Sequence, residues 1–328
     1  MIAVTGATGL LGAHIVRQLV QDKIPFVALK REGSDTSLLD DLKDKITWRI
    51  ADVVDSVRIH EALQDCTAVI HSAAIVSFNK RRAGELIEVN VNGTRNVVNA
   101  CLSNGIKRLI HISSVSALGR QKGQSVVTED NKWIDNPLNN VYAISKYQAE
   151  LEVFRGQEEG LSTIILNPSI ILAPSDWTKS SARLFRYVWR KRPFYFEADL
   201  NYVDVRDVAY CALRFLTMPH QGQRVIVNAG SIPFISFFRK VAANFQVSPP
   251  WLELSRNTIK ILAKVESART FFSKSEPLIT REAVQLAGTK FLYDNKKIKN
   301  ILEFEFQTVD NTVDWCCAYY KQRFSSKK

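Results

Sequence analysis

Short apolar runs alternate with amphipathic segments over the first two-thirds of the chain. The amphipathic segments repeat their apolar positions every three or four residues, as helices do, and the longest cover residues 84–103 and 142–158. Strand-like runs separated by helices predict a Rossmann-type α/β fold with a parallel, doubly wound sheet. The strand-like runs are IAVT, PFVALK, ITWRIADV, AVIHSAA, RLIHISSV and STIILNPSIIL.

This alternation becomes irregular after Pro168. The segment NYVDVRDVAYCALRFLT is predicted to return to the sheet as a helix, and QRVIVNAG as a strand. We therefore expect a dinucleotide-binding domain formed by residues 1–167 and 203–230. A smaller, mostly helical substrate-binding lobe would then comprise residues 168–202 and 231–328, and a chain of 328 residues is long enough for both.

The composition, with 46% apolar and 23% charged residues, is that of an ordinary globular protein. No stretch approaches the ~18 consecutive apolar residues that span a membrane, and the apolar N-terminal segment has no basic leader. The five cysteines form no CxxC pair. These features predict a cytoplasmic protein without a membrane partner, whose thiols are small core residues.

The net charge of +11 favours anionic partners. The basic residues are spread along the chain and no nucleic-acid motif is present, so nucleic acid is not an expected partner. The densest basic cluster lies in WTKSSARLFRYVWRKRP, where Leu184, Phe185, Val188 and Trp189 form an apolar helix face. Its other face is either solvated or contacts the anionic tail of a ligand. That face carries Arg183, Arg186 and Arg190.

A glycine-rich turn, TGATGLLG, directly follows the first strand. Gly6 permits the tight turn, Gly9 lets the backbone approach a pyrophosphate, and Gly12 lets the helix pack on the strand. The helix start presents free N–H groups and a partial positive charge to the phosphates. The predicted cofactor contacts in this turn are Gly6, Thr8, Gly9, Leu10, Leu11 and Gly12.

The end of the second strand decides between the two nicotinamide dinucleotides. NAD-binding proteins place a carboxylate there for the ribose diol, whereas this chain has Lys30 and Arg31, followed by Glu32. Two cations favour a 2′-phosphate, so NADP(H) is predicted over NAD(H); the alternative is that both cations are solvated and Glu32 serves NAD. The ends of the third and fourth strands add Asp52 and Val53 beside the adenine, and Ser72, Ala73 and Ala74 along the cofactor.

Three tyrosine–lysine pairs have the YxxxK spacing, which places phenol and ammonium one helical turn apart. The pairs Tyr187–Lys191 and Tyr293–Lys297 lie in polar or basic segments and are interpreted as surface residues. Only Tyr142–Lys146 opens a helix that follows a serine-bearing strand end. It is therefore the candidate for chemistry.

Ser113 and Ser114 end the fifth strand, at the sheet edge to which Tyr142 returns. This set suits hydride transfer at a carbonyl carbon, in which a serine holds the oxygen and the tyrosine moves its proton. A free phenol has a pKa of about 10, and a nearby ammonium lowers that pKa. The hydride comes from the nicotinamide.

The motifs TGATGLLG, SSVSALG, YAISK and NVNGT together resemble the extended short-chain dehydrogenase/reductase superfamily. The resemblance implies that Ser114, Tyr142 and Lys146 are catalytic, that Lys146 also binds the nicotinamide ribose, and that Asn90 supports the cofactor site. It also implies a homodimer formed through the helices at 84–103 and 142–158. Further cofactor contacts are expected at Ser113, Asn167, Pro168, Ser169 and Ile170.

Two departures from the sugar-nucleotide members indicate a different substrate. Those members carry an arginine just before an FVHVDD-like strand, where this chain has acids in FEADLNYVDVRD, and they hold NAD tightly. The segments 75–78, 117–119 and 167–172 are largely apolar and are expected to line the substrate pocket. In this the chain resembles the dihydroflavonol reductase and 3β-hydroxysteroid dehydrogenase-like branch.

The leading hypothesis is an NADP(H)-dependent reductase of an apolar ketone or aldehyde, or the matching alcohol oxidation. A nucleotide-sugar epimerase or dehydratase with tightly bound NAD is the second hypothesis, with an arginine of the basic helix on the diphosphate. A cofactor-sensing protein without catalysis is the third, although such a protein has no need of the Ser114, Tyr142 and Lys146 set.

Overall fold

A computed structural model of the protein describes residues 1–120, 123–135, 139–177, 181–219, 222–255, 257–259, 261 and 290–324. The predicted α/β fold is confirmed: seven parallel strands form one sheet in the order β11-β7-β5-β4-β1-β2-β3. Its strands are β1 (Ile2–Thr5), β2 (Phe26–Lys30), β3 (Trp48–Ile50), β4 (Ala68–His71), β5 (Arg108–Ile112), β7 (Ser162–Pro168) and β11 (Gln223–Val227). The strand order reverses between β1 and β4, where such sheets bind ligands.

Helices cover both faces of this sheet. The helices of the sheet and of the rest of the described chain include α1 (Leu10–Gln21), α2 (Ser56–Ala62), α3 (Ala83–Leu86), α4 (Gly93–Ser103), α5 (Val141–Glu158), α6 (Ala182–Trp189), α7 (Val205–Thr217), α8 (Phe234–Phe245), α9 (Lys296–Leu302) and α10 (Val309–Phe324). A π-helical segment, Ile87–Asn92, joins α3 to α4, and 3₁₀ segments cover Ser37–Lys45, Lys80–Arg82 and Val115–Ala117.

Side chains of the central strands alternate between two apolar clusters, as the pleat of a strand requires. In β5, Ile110 and Ile112 pack with α1, α7 and α9, whereas Leu109 packs with α2, α4 and α5. Both faces are therefore buried, which explains why these strands read as continuous apolar runs.

The predicted sixth strand divides into two. Residues Ser162–Pro168 form β7 in the main sheet, and Ile170–Leu172 form β8, which pairs with another sheet. Pro168 has no N–H to continue the ladder, and the next residue, Ser169, donates its N–H to the Val227 carbonyl. The chain thus leaves the main sheet at its carboxyl edge.

The prediction for NYVDVRDVAYCALRFLT also needs correction, because its first residues form a strand. Strand β10 (Asp199–Asp204) lies between β8 and β12 (Gly230–Pro233) in a three-stranded sheet, and α7 begins only at Val205. The Asp204 side chain accepts the N–H of Arg206 and caps that helix. The remaining strands are β6 (Val126–Val127), β9 (Phe194–Tyr195), β13 (Leu252–Glu253) and β14 (Leu292–Tyr293).

A third apolar cluster joins α6, α8 and α10 through Phe185, Phe237 and Tyr320. On the basic helix α6, Phe185 and Val188 are buried as predicted, and Arg190 is exposed. Helix α9 packs instead with the main sheet, through Ile298 and Leu302. The predicted lobe segment 262–289 and residues 178–180 of the basic cluster lie outside the described residues. No described helix is long and apolar enough to cross a membrane.

Candidate active site

The glycine-rich turn has a geometry that larger residues cannot adopt. Gly6 has a φ of +68°, and a Cβ added there would lie 2.6 Å from the backbone nitrogen of Ala73. A Cβ added to Gly12 would lie 2.1 Å from the Gly6 carbonyl oxygen. Helix α1 begins immediately afterwards with no acidic side chain in its first turn. The turn and the helix start therefore suit a pyrophosphate, as the sequence indicates.

The carboxyl ends of β1, β2, β3 and β4 enclose a cleft of about 240 Å³. It lies at the point where the strand order reverses, and its walls bring together ten of the 21 residues predicted to contact the cofactor. Leu11 and Gly12 are instead buried below the turn. The cleft is lined by Thr5, Gly6, Thr8, Gly9, Leu29, Lys30, Arg31, Ser34, Ala51, Asp52, Val53, Ser72, Ala73, Ala74, Ile75 and Val89.

A second cavity of about 720 Å³ continues beyond the end of β2. Arg31 and Asp52 line both cavities, and Arg58 of α2 lines the outer one together with Glu32. The Lys30 ammonium lies over the ring of Trp48, 5.2 Å from its centroid. The cation that faces both cavities at this strand end is therefore Arg31, and sequence reasoning missed Arg58 because it follows a different strand.

Ser114, Tyr142 and Lys146 lie together at the carboxyl edge of the sheet. The Ser114 hydroxyl lies beside the phenol of Tyr142, where it lowers the pKa of the phenol, and it accepts the N–H of Ser116 at 3.1 Å. Tyr142 is held at the first turn of α5, where the Asn140 side chain accepts the N–H of Ala143. Burial raises the pKa of Tyr142 to about 12, against the lowering effect of the Ser114 hydroxyl.

Lys146 is a buried cation one helical turn beyond the tyrosine. Only 2% of its surface is exposed, and its Nζ donates to the Ile112 carbonyl at the end of β5, at 2.8 Å. Burial lowers its pKa to about 8, while the nearby Glu150 carboxylate raises that pKa. The ammonium form therefore still predominates at neutral pH.

The phenols of the other two YxxxK pairs lie in different surroundings. The Tyr187 hydroxyl donates to the Phe194 carbonyl at 2.7 Å. Tyr293 is only 5% exposed and packs in an apolar cluster, so its interpretation as a surface residue was wrong. Its burial is decided by a pairing with β6, far away in the sequence.

Asn90 holds the loop that follows β4. Its Oδ1 accepts the N–H of Ile75 at 2.7 Å, and its Nδ2 donates to the Ile75 carbonyl and to the Ser145 hydroxyl. The asparagine lies in the π-helical segment and is 1% exposed. It therefore links the loop carrying Ser72–Ala74 to the helix carrying Tyr142.

The side chains of Ser113 and Asn167 turn into the protein. The Ser113 hydroxyl and the Asn167 amide both donate to Oε1 of Glu150, at 2.5 and 2.6 Å. Sequence reasoning missed Glu150, although its position one turn after Lys146 is a usable signal. Pro168 and Ser169 are buried, whereas Ile170 is 39% exposed.

Apolar side chains lie beside the tyrosine. The Phe78 ring meets the Tyr142 ring edge-on, with centroids 5.8 Å apart, and Phe78 and Val76 are 40% and 55% exposed. Ala117 and Leu118, expected to line the pocket, are core residues with almost no exposed surface. At Gly119 an added Cβ would collide with the Lys132 carbonyl, so this glycine permits a close backbone approach.

Comparison with known proteins agrees with the resemblance. A sequence profile described as the NAD dependent epimerase/dehydratase family matches residues 2–230. A Synechocystis protein that carries the name dihydroflavonol 4-reductase is 30% identical over 308 residues, which cover 90% of this chain and 87% of the relative. Cinnamoyl-CoA reductase 1 of Oryza sativa subsp. japonica is 29% identical over 224 residues, covering 64% and 65% of the two chains.

Solved structures extend the likeness over the whole chain. The crystal structure of gox2253 matches with a TM-score of 0.84 and 28% identity, covering 99% of this chain and 98% of the other. UDP-glucose 4-epimerase of Thermotoga maritima, solved with UDP-glucose, has a TM-score of 0.80 at 16% identity and shares the fold, covering 98% and 99%. The chain belongs to the NAD-dependent epimerase/dehydratase family of extended short-chain dehydrogenases/reductases, and is an NAD(P)-dependent enzyme.

Proposed function

We propose that the protein is an NADP(H)-dependent reductase that converts a ketone or aldehyde to the matching alcohol. The observation that carries the proposal is the juxtaposition of Ser114, Tyr142 and Lys146 at the carboxyl edge of the sheet. In the reaction the carbonyl gains a hydride on carbon and a proton on oxygen, and the alcohol oxidation is the reverse.

The bound nicotinamide supplies the hydride. The Ser114 hydroxyl donates a hydrogen bond to the carbonyl oxygen, and Tyr142 gives that oxygen its proton. The phenol is buried, which opposes its ionisation, and the nearby Lys146 ammonium compensates by stabilising the phenolate. Glu150 in turn favours the ammonium form of Lys146.

The preference for NADP(H) rests on Arg31. Its side chain lines both the cofactor cleft and the outer cavity, and a guanidinium binds a 2′-phosphate through two charge-assisted hydrogen bonds. Arg58 adds a second cation to the same cavity. Lys30 lines the cofactor cleft, but it is assigned no contact with the 2′-phosphate, because its ammonium lies over Trp48.

An apolar substrate is supported by exposed apolar residues in the segments predicted to line the pocket. Val76, Phe78 and Ile170 are large apolar residues that expose at least 39% of their surface, and Phe78 contacts the reacting tyrosine itself. The similar proteins named dihydroflavonol 4-reductase and cinnamoyl-CoA reductase point to substrates with aromatic rings. We therefore infer an aromatic or alicyclic carbonyl compound.

We also propose that the enzyme is a homodimer formed through α4 and α5. Leu151 on α5 is 46% exposed, which is consistent with an apolar contact on the outer side of this helix pair. Light scattering coupled to size exclusion checks this point, with Leu151→Asp expected to yield the monomer. A wild-type protein that is monomeric would contradict the assembly.

The experiment for the main proposal begins with the cofactor. The purified protein is denatured, any released dinucleotide is identified, and cofactor-free protein is titrated with NADPH and NADH. We expect preferential NADPH binding, followed by NADPH oxidation with a panel that includes cinnamaldehyde and flavanone-type ketones. Retained NAD, with epimerisation of a nucleotide-sugar, would overturn the reductase assignment in favour of an epimerase.

A further inference from the structure

Glu150 is a buried carboxylate on the same helix face as the site residues. It follows Lys146 by one turn and Tyr142 by two, and none of its surface is exposed. Glutamate is almost never fully buried unless it is paired. Such a residue therefore needs partners that compensate for its removal from water.

Three donors from three different strands meet at this carboxylate. Ser113 from the end of β5 and Asn167 from β7 donate to Oε1, and Arg224 of β11 contacts Oε2 at 3.4 Å. The amide N–H and the guanidinium can only donate, so they fit the ionised acid. Burial raises the Glu150 pKa, while these donors and Lys146 lower it.

The same contacts fix the backbone around Ser114. Asn167 Nδ2 donates to Glu150 and also to the Ser114 carbonyl, at 2.9 Å. Arg224 also donates to the Glu129 and Asn131 carbonyls. The Asn131 amide in turn donates to the Gly119 carbonyl, at 2.6 Å. One carboxylate thus joins the helix of Tyr142 to both ends of the loop that carries Ser114.

We propose that Glu150 is the positioning residue of this site: it holds the Ser114 loop against α5 and, one helical turn after Lys146 on the same face, acts without a direct ion pair as the counter-ion of the Lys146 ammonium. The inference rests on the proposed function for its catalytic consequence, whereas this electrostatic interaction does not depend on any substrate. Glu150 acts through Ser113, Asn167 and Lys146 and does not touch the reacting atoms.

The charged groups around Lys146 determine in which direction its pKa changes when the Glu150 charge is removed. Among the described residues, the other titratable groups that respond to its charge are the histidines His71 and His111 on β4 and β5, while Tyr142 lies one turn before it on α5. Burial lowers the pKa of His71 to about 3 and that of His111 well below its usual value, so both are neutral near pH 7. Arg224 is the cation that faces Glu150. Removal of the Glu150 charge should therefore lower the Lys146 pKa further.

The test reads that pKa directly in the full-length protein. Lysine labelled with ¹³C at Cε is incorporated, the Lys146 resonance is assigned by its loss in Lys146→Arg, and the signal is titrated by NMR. In Glu150→Gln the Lys146 pKa should fall by about one unit or more. Glu158→Gln, the same exchange on the exposed surface of α5, is the matched control and should leave the pKa unchanged. An unchanged Lys146 pKa in Glu150→Gln overturns the counter-ion role.

Glu150→Asp separates charge from position. It keeps the carboxylate but draws it back from Ser113 and Asn167, so the Lys146 pKa should stay near that of the wild type. With NADPH and a carbonyl found in the panel above, kcat should fall about tenfold or more at similar KM. Wild-type kcat in Glu150→Asp would overturn the positioning role. This variant also serves if Glu150→Gln does not fold.

The pH profile distinguishes this inference from the proposed function. The alkaline limb of kcat should move to lower pH in Glu150→Gln, because Lys146 loses its proton earlier. If Tyr142→Phe keeps its turnover, the proposed reductase mechanism fails, and the NMR titration still decides whether Glu150 is the counter-ion of Lys146. If Tyr142→Phe is inactive but Glu150→Gln leaves both the pKa and the pH profile unchanged, only the inference about Glu150 fails.

Discussion

The cofactor edge of the sheet and the α6–α8–α10 lobe are built on different principles. At the cofactor edge, Gly6 and Gly12 are required because backbone atoms lie where a side chain would begin. In the lobe, Phe185 and Phe237 meet from distant parts of the chain and are interchangeable with other apolar residues of similar volume. The cofactor edge is therefore specified by residue identity, and the lobe by burial and shape.

The largest expected effect is on stability: a substitution in the lobe should destabilise the protein and leave NADPH binding at the cofactor edge unchanged. Phe185 is fully buried, so Phe185→Ala should lower the free energy of unfolding by about 3–5 kcal/mol. NADPH affinity of the folded fraction should change little. Denaturant unfolding and NADPH titration measure the two quantities, and Phe194→Ala, at a 43% exposed site, is the control. If Phe185→Ala lowered NADPH affinity as well as the free energy of unfolding, the lobe and the cofactor edge would not be independent of each other.

Lys146 should make stability depend on alkaline pH. Burial lowers its pKa from 10.5 to about 8, so between these values the unfolded chain holds more protons than the folded one. The free energy of unfolding should therefore rise with pH in this window, by at most about 3 kcal/mol. Lys146→Met should abolish this rise, whereas Lys107→Met at an exposed site should keep it. Identical slopes in the two variants would contradict the burial of an ammonium.

Gly12→Ala tests the cofactor edge, where residue identity should matter. The added Cβ would lie 2.1 Å from the Gly6 carbonyl oxygen, so the turn must shift, at a cost of about 1–3 kcal/mol in stability. NADPH affinity should also fall, because the displaced turn forms the pyrophosphate site. Gly84→Ala, where an added Cβ meets nothing within 4 Å, is the control. Unchanged NADPH binding in Gly12→Ala would remove the turn from the cofactor site.

The smallest expected effect is on NADPH affinity, and it distinguishes the roles of Arg31 and Lys30 at the end of β2. Arg31→Ala should weaken NADPH binding about tenfold or more, because its charge-assisted hydrogen bonds to the 2′-phosphate are lost. NADH binding should not change. Lys30→Ala should leave both affinities intact, because its ammonium lies over Trp48. A loss in Lys30→Ala and none in Arg31→Ala would reverse the assignment.

The sequence was sufficient for the parallel sheet and for the sharp turn at Gly6, because each depends on local spacing; the choice of Tyr142 stays a prediction. Gly6, Tyr142 and Lys146 follow strands that the apolar pattern already shows. The direction of Lys30 could not be predicted, since it depends on how β2 pairs with β3 and so places Trp48. The burial of Glu150 was also missed, because its donors Asn167 and Arg224 come from strands later in the chain.

The buried Tyr293 and the divided sixth strand have the same explanation. Tyr293 is covered through a pairing with residues near 127, and the division after Pro168 is completed by a bond to Val227. Local composition carries no signal for either contact. Long-range pairing therefore limits prediction at the lobe side of the site more than at the cofactor side.

The central claim is that Tyr142 delivers the proton. Single-turnover reduction of a carbonyl from the panel, with NADPH bound, compares Tyr142→Phe with Tyr187→Phe, which removes the hydroxyl of another YxxxK tyrosine. Tyr142→Phe should slow the hydride step by roughly 10²–10⁴-fold with NADPH affinity intact, and Tyr187→Phe should match the wild type. Wild-type rates in Tyr142→Phe would contradict the account.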